Sequence, residues 1–126
     1  MAKYLLDSDV VIAWLRRDEA VVAWLKERDA AGDYLGWTPI SIAEIGAGIR
    51  PREAFVMGDL VRVLHCVDLD ERTGRKAATY RARFGPSHGV EIADALIAAA
   101  AHVHGLTLCT RNLRHYPMRD VKKRRV

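Results

Sequence analysis

The sequence predicts an α/β fold: a single domain over residues 1–126, built on a parallel sheet of four to five strands with helices on both faces. Two observations carry this expectation. Short apolar runs recur along the chain, and the longer segments between them space their apolar residues as helices do. Polar residues or a proline suited to starting a helix follow the first two runs directly, so the chain passes from strand to helix and not into a hairpin.

The first run, Lys3-Tyr4-Leu5-Leu6, reads as a strand, and Asp7-Ser8-Asp9 supplies oxygens for the start of a helix over about 9–16. Arg16-Arg17-Asp18 interrupts that helix. A second follows, with Val21, Val22, Trp24 and Leu25 toward the core and Gly32 as its stop. Tyr34 to Thr38 reads as the next strand. Pro39 and Ser41 then open a helix with Ile42, Ile45 and Ile49 on one stripe, ended by Pro51. Residues 52–64 are expected to be helical, 66–69 a third strand, and 71–83 another helix. Gly85-Pro86-Ser87-His88-Gly89 carries loop signals. The strongest helix runs from Glu91 to His104, Ala-rich and deeply packed, with Gly105 as its C-terminal stop. Leu106 to Cys109 forms the fourth strand, and Thr110-Arg111-Asn112 leads away from it.

With 126 residues, half of them hydrophobic, the chain is long enough to bury one core. No run approaches the roughly 18 apolar residues of a membrane span, and the N-terminus lacks the pattern of a secretion signal, so a cytoplasmic protein is expected. Cys66 and Cys109 each adjoin apolar residues without metal-ligand spacing and read as buried thiols. The net charge of +4 is unevenly distributed: residues 111–126 hold seven of the 20 Lys and Arg but only one of the 16 acids. Arg111, Arg114, Arg119 and Lys122 to Arg125 have the chemistry to neutralise phosphates; a solvated basic tail over 119–126 is the equal alternative.

In a parallel sheet, strand C-termini and the starts of the following helices share one edge, where ligands bind. Asp7, Glu44 and Asp94 all map to that edge, together with Thr110, Arg111 and Asn112. Three carboxylates brought together repel one another unless a cation or protons neutralise them. Oxygen ligands without clustered His or Cys favour Mg²⁺ or Mn²⁺, ions suited to phosphodiester hydrolysis by a metal-activated water.

Each acid also has a purely structural use. Asp7 or Asp9 serves equally as a helix cap. Ser41-x-x-Glu44 matches a capping box, the better reading of Glu44 taken alone. Asp94 and Glu91, three apart on one helix face, both suit the positive end of the helix dipole. Their convergence tilts the balance toward a metal site, with Glu91 a lower-ranked ligand or base. Asn112 is placed to hold a metal-bound water and His115 to touch phosphate, although a surface His commonly does neither. Ser8 and Thr110 suit substrate hydrogen bonds or turn and cap duties.

These segments, taken together, resemble the PIN-domain family, and specifically its VapC branch, over almost the whole chain. The first strand with its leading Asp is similar in Tyr4 to Ile12, the Glu-bearing helix in Ser41 to Ile49, and the most specific stretch in Asp94 to Tyr116. The resemblance implies a Mg²⁺- or Mn²⁺-dependent endoribonuclease, the toxin of a toxin-antitoxin pair, with Asp7, Glu44 and Asp94 as acidic site residues and Asn112 at a fourth polar position. It further implies an RNA substrate, homodimerisation, and inhibition by a VapB-type antitoxin. Many relatives carry an acid where His115 stands here, so the second of two metals loses a ligand.

Two rival readings come from other classes. Leu6 to Val10 is similar to the opening of haloacid-dehalogenase-type phosphatases, in which Asp7 would attack phosphorus, but the later Lys and paired acids of that family have no counterpart. A non-catalytic PIN-fold RNA-binding module is opposed by the retention of all three carboxylates.

Overall fold

The computed structural model describes residues 1–126. Strand β1 (Lys3–Leu6) runs into α1 (Ser8–Leu15) and α2 (Glu19–Ala30). Next come β2 (Tyr34–Trp37), α3 (Pro39–Gly48), a 3-10 turn at Pro51–Glu53 and α4 (Ala54–Val63). The chain continues through β3 (His65–Cys66), α5 (Glu71–His88), α6 (Ile92–His104) and β4 (Thr107–Thr110). A second 3-10 turn, Leu113–His115, precedes β5 (Lys123–Arg125).

The five strands form one sheet in the order β3-β2-β1-β4-β5, every neighbouring pair parallel. The expected α/β architecture is therefore present. Strand order reverses at β1, which pairs with β2 on one side and β4 on the other. A cleft opens at such a reversal, beyond the strand C-termini.

Alternation along the strands divides the core. Leu5 and Leu108 face α5 and α6, joining Ala77, Tyr80, Ile97 and Tyr116. Tyr4, Leu6 and Cys109 face the opposite layer, with Val10, Val11, Leu25, Trp37, Ile45 and Leu60. The Ala-rich middle of α6 is wholly buried, so small side chains allow it to lie close against both the sheet and α5.

Local chemistry accounts for the helix boundaries. Arg17 adopts φ 62° and breaks the chain between α1 and α2, and Asp18 caps α2 by accepting from the Val21 amide at 3.2 Å. Asp70 caps α5 through the Thr73 amide at 2.9 Å. Gly89 and Gly105 close α5 and α6 at φ 66°, a conformation that costs a side-chain-bearing residue about 1–2 kcal/mol.

Several expectations are corrected. The segment 85–89 is not a loop, because α5 continues to His88 through Pro86. Proline removes only one hydrogen bond so near the terminus, and the Gly89 amide recloses the last turn on the Gly85 carbonyl at 2.9 Å. The third strand is limited to His65–Cys66, since beyond the Val67 amide bond to Trp37 the chain leaves for α5. Of the four residues expected to face the core from α2, Val21 and Leu25 are buried, whereas Val22 and Trp24 are half-buried. Cys66 is exposed, in contrast to buried Cys109.

The basic C-terminal segment is not a loose tail. Its residues 123–125 pair with β4 as the sheet edge, where cationic side chains discourage further strand addition. No helix is long and apolar enough to cross a membrane.

Candidate active site at the sheet reversal

Asp7 is the first residue past β1, at the point where strand order reverses. Its amide donates to the Cys109 carbonyl at 2.9 Å and extends the β1–β4 ladder by one bond. This pins the backbone of a residue that is only 8% exposed. One carboxylate oxygen, Oδ1, accepts from the Ser8 amide at 2.8 Å. The other, Oδ2, accepts from the Tyr116 hydroxyl at 2.8 Å and the Thr110 hydroxyl at 2.9 Å. Burial holds the Asp7 carboxyl above its ordinary range, the charge of Asp9 adds to the rise, and these three donors oppose it.

Asp9 stands beside it in α1. Its Oδ2 accepts from the Arg111 amide at 3.0 Å and lies 3.3 Å from the Thr110 hydroxyl, while Oδ1 is buried without a partner. Burial raises this carboxyl too. Thr110 has a single proton to share, and the shorter contact assigns it chiefly to Asp7. As acceptor, the Thr110 oxygen takes the Asn112 amide at 3.1 Å.

Glu44 approaches from α3. The expected Ser41–Glu44 capping box does not form, because the helix begins earlier: Thr38 is its cap, Pro39 its first residue, and the Thr38 hydroxyl accepts from the Ser41 amide at 3.4 Å. Glu44 is thereby free to accept from the Ser8 hydroxyl at 2.8 Å. The Ser41 hydroxyl lies 2.9 Å from Ser8 on the same chain of polar atoms. With the Ser8 proton donated to Glu44, Ser41 must supply its own proton to Ser8, so both hydroxyls are oriented by the carboxylate.

Asp94 occupies the first turn of α6, half-buried. Burial raises its carboxyl; His115 pulls the other way, and the charges of Asp7 and Glu44 raise it further. The three predicted acids therefore stand within electrostatic reach of one another. As the side chains lie, however, no group of three Asp, Glu, His or Cys residues forms a ready cation cage. Asp7 is committed to its donors and Glu44 to Ser8.

The remaining predicted residues divide. Asn112 and His115 join, Nδ2 to Nε2 at 3.1 Å, an arrangement that places the imidazole proton on Nδ1 if the amide donates. Arg111 contributes its amide to Asp9, but its guanidinium pairs with Asp18 at 3.1 Å. Glu91 precedes the first turn of α6 as its N-cap residue, exposed and with no side-chain capping bond. Tyr116 and Ser41 are site residues that sequence reasoning passed over, and Asp9 was weighed only as a cap. Tyr116 carried no local signal, since its contact with Asp7 spans 109 positions.

Comparison with known proteins identifies the family that shares this fold. Residues 4–122 match the family model described as the PIN domain. The chain is 36% identical over 115 residues to Ribonuclease VapC10 of Mycobacterium tuberculosis, covering 90% of this chain and 86% of the relative. It is 32% identical over 119 residues to Ribonuclease VapC19 of the same organism, covering 90% and 92%. Among solved structures, DNA-bound VapBC from Salmonella typhimurium matches with a TM-score of 0.82 at 21% identity, covering 99% of this chain and 98% of that one. A domain match spanning nearly the entire chain, supported by two relatives above 30% identity, makes this protein a member of the PIN-domain family in its VapC group.

Proposed function

We propose that this protein is an endoribonuclease dependent on Mg²⁺, with Mn²⁺ as a substitute, and that it is the toxin of a toxin-antitoxin pair. The observation that carries the reading is the meeting of Asp7 and Glu44 on Ser8 at the sheet reversal, with Asp94 near enough for both charges to raise its carboxyl, in a chain whose relatives bear the name ribonuclease.

The donor chemistry fits a hard divalent ion. Asp7, Asp9, Asp94 and Glu44 offer only oxygen, burial leaves the first three with raised carboxyls, and Asp9 Oδ1 is buried without a hydrogen-bond partner. When bound by Asp7, Asp94 and Glu44, such an ion supplies a water acidified for attack and charge compensation for the phosphoryl oxygens.

The chain's own residues do the positioning. Tyr116, Thr110 and the Ser8 amide keep the Asp7 carboxylate in one orientation, so little reorganisation accompanies its use. The Ser8 hydroxyl holds Glu44 toward the same edge. Asn112 and His115 present a polar pair beside Asp94, suited to phosphate or a bound water, while Ser8, Thr110 and Arg111 serve in support. A homodimer and a VapB-type antitoxin belong to the same proposal; structural neighbours of this fold are described as VapBC complexes.

The test is purified protein with single-stranded RNA and Mg²⁺ or Mn²⁺, repeated with EDTA, together with Asp7→Asn, Glu44→Gln and Asp94→Asn. Internal cleavage that requires the ion and disappears in each folded variant is expected. Cleavage at the wild-type rate in Asp7→Asn overturns the assignment, and covalent phosphorylation of Asp7 by a phosphomonoester replaces it with the phosphatase reading.

A further inference from the structure

The structure redistributes the positive charge. Three of the cations that sequence places near the C-terminus are already engaged: Lys123 Nζ donates to the carbonyls of Tyr116 at 2.7 Å and Met118 at 2.8 Å, Arg124 lies over the Trp24 ring at 5.3 Å, and Arg111 pairs with Asp18. A second group of cations lies on α5 and on the segment before β5. Helix α5 carries Arg72, Arg75, Lys76 and Arg83, whose spacing of three, four and seven sets them along one side of the helix. Of these, Lys76 and Arg83 line a groove of about 570 Å³, and Arg119 faces them across it from the segment before β5.

Two wall residues of this groove lead through the chain to the acidic site. Pro117, in its wall, follows Tyr116, whose hydroxyl holds Asp7. His88, also in its wall, turns through Gly89 into α6, where Asp94 lies in the first turn. Arg83 and Arg119 are exposed and form no ion pair. The one acid in the groove, Asp120, is compensated by Lys76 at 2.7 Å and fixed by the Tyr80 hydroxyl at 2.8 Å. Phe84 adds a partly exposed aromatic ring, with the Arg83 guanidinium 5.2 Å from its centre.

We propose that the groove between α5 and residues 117–120 binds the backbone of single-stranded RNA beyond the scissile phosphate, with Arg83 and Arg119 on phosphates and Phe84 beneath a base. This rests on the ribonuclease reading and extends it, making the groove a second contact that favours long substrates over short ones. Cations on a groove wall joined to an aromatic ring are what an unpaired strand requires, since its bases are free to stack while its phosphates are neutralised. The α5 wall of the groove, Lys76 to His88, spans roughly 18 Å of helix at 1.5 Å per residue, room for two to three nucleotides of extended strand.

The test compares wild type with Arg83→Gln/Arg119→Gln and, separately, Phe84→Leu. Binding of a 12-nucleotide single-stranded RNA is measured against salt, and cleavage of that RNA is compared with cleavage of a dinucleotide. Loss of two phosphate contacts is expected to reduce the salt slope by about 1.4, at roughly 0.7 per contact for single strands. KM for the long RNA rises several-fold, dinucleotide cleavage is unchanged, and Phe84→Leu weakens binding without altering the slope. An unchanged slope and KM in the double variant overturn the proposal. So does a greater loss of affinity for duplex DNA than for single-stranded RNA, which would assign the groove to the duplex. If wild type binds RNA with a salt slope that the double variant flattens, yet cleaves nothing, the groove stands and the ribonuclease reading falls.

Discussion

Replacing Tyr116 with phenylalanine deletes one oxygen from a fully buried ring and leaves its packing in place, which isolates the bond to Asp7. Burial and the neighbouring Asp7 charge push the phenol far above its ordinary range, so the hydroxyl keeps its proton and acts on the carboxylate only as a donor. A hydrogen bond to an ionised partner contributes about 1.5–3 kcal/mol, against about 0.5–1.5 kcal/mol for a neutral pair. Because the phenylalanine ring refills the site, no sizeable cavity adds to this. Tyr116→Phe should therefore lower stability by about 2 kcal/mol when Asp7 is ionised, and by about 1 kcal/mol in an Asp7→Asn background. The assay is urea unfolding at pH 8 in EDTA for wild type, both single variants and the double variant. A coupling energy near 1 kcal/mol is expected; additivity within about 0.5 kcal/mol would show that Tyr116 does not stabilise the charged carboxylate and would refute its positioning role.

Two further outcomes follow from the same geometry. Asp7 has a folded-state carboxyl raised above 3.8, first by burial and then by Asp9, so the folded protein holds this proton more tightly than the unfolded chain. Its favourable contribution is complete below that unfolded value and is lost as pH rises through the folded one. Asp7→Asn should accordingly gain stability relative to wild type as pH rises from 3 to 7 while losing activity, and denaturation profiles that remain parallel over that range would contradict the burial argument. Deleting residues 122–126 removes β5, including the Leu108 amide bond to the Lys122 carbonyl at 2.8 Å and both Lys123 Nζ contacts. A loss on the order of 3 kcal/mol is expected from thermal or urea unfolding, with net terms of about 1 kcal/mol for each of these bonds. A truncated protein as stable as the full chain would return the segment to the status of a solvated tail.

Sequence by itself determined the succession of strands and helices, the placing of Asp7 and Asp94 where helices begin, and the family. These depend on signals that act within a few residues: Asp18 and Asp70 as caps, Gly89 and Gly105 at positive φ, and apolar spacing that differs between strand and helix. Where a local signal was misleading, a neighbour within a turn or two had overridden it. Gly89 recloses α5 beyond Pro86, and Thr38 takes the cap that Ser41 and Glu44 together suggested.

Only the tertiary structure decided what each carboxylate touches. The order β2-β1-β4 sets Thr110 beside Asp7 across 103 positions, and packing under the sheet edge brings Tyr116 to the same oxygen. Ser8 meets Glu44 across 36 positions, Glu91 falls outside the helix that holds Asp94, and the basic terminus becomes β5. Contacts of this span leave no trace in local spacing, because they arise when strand pairing closes long loops and buries polar groups that must then find partners.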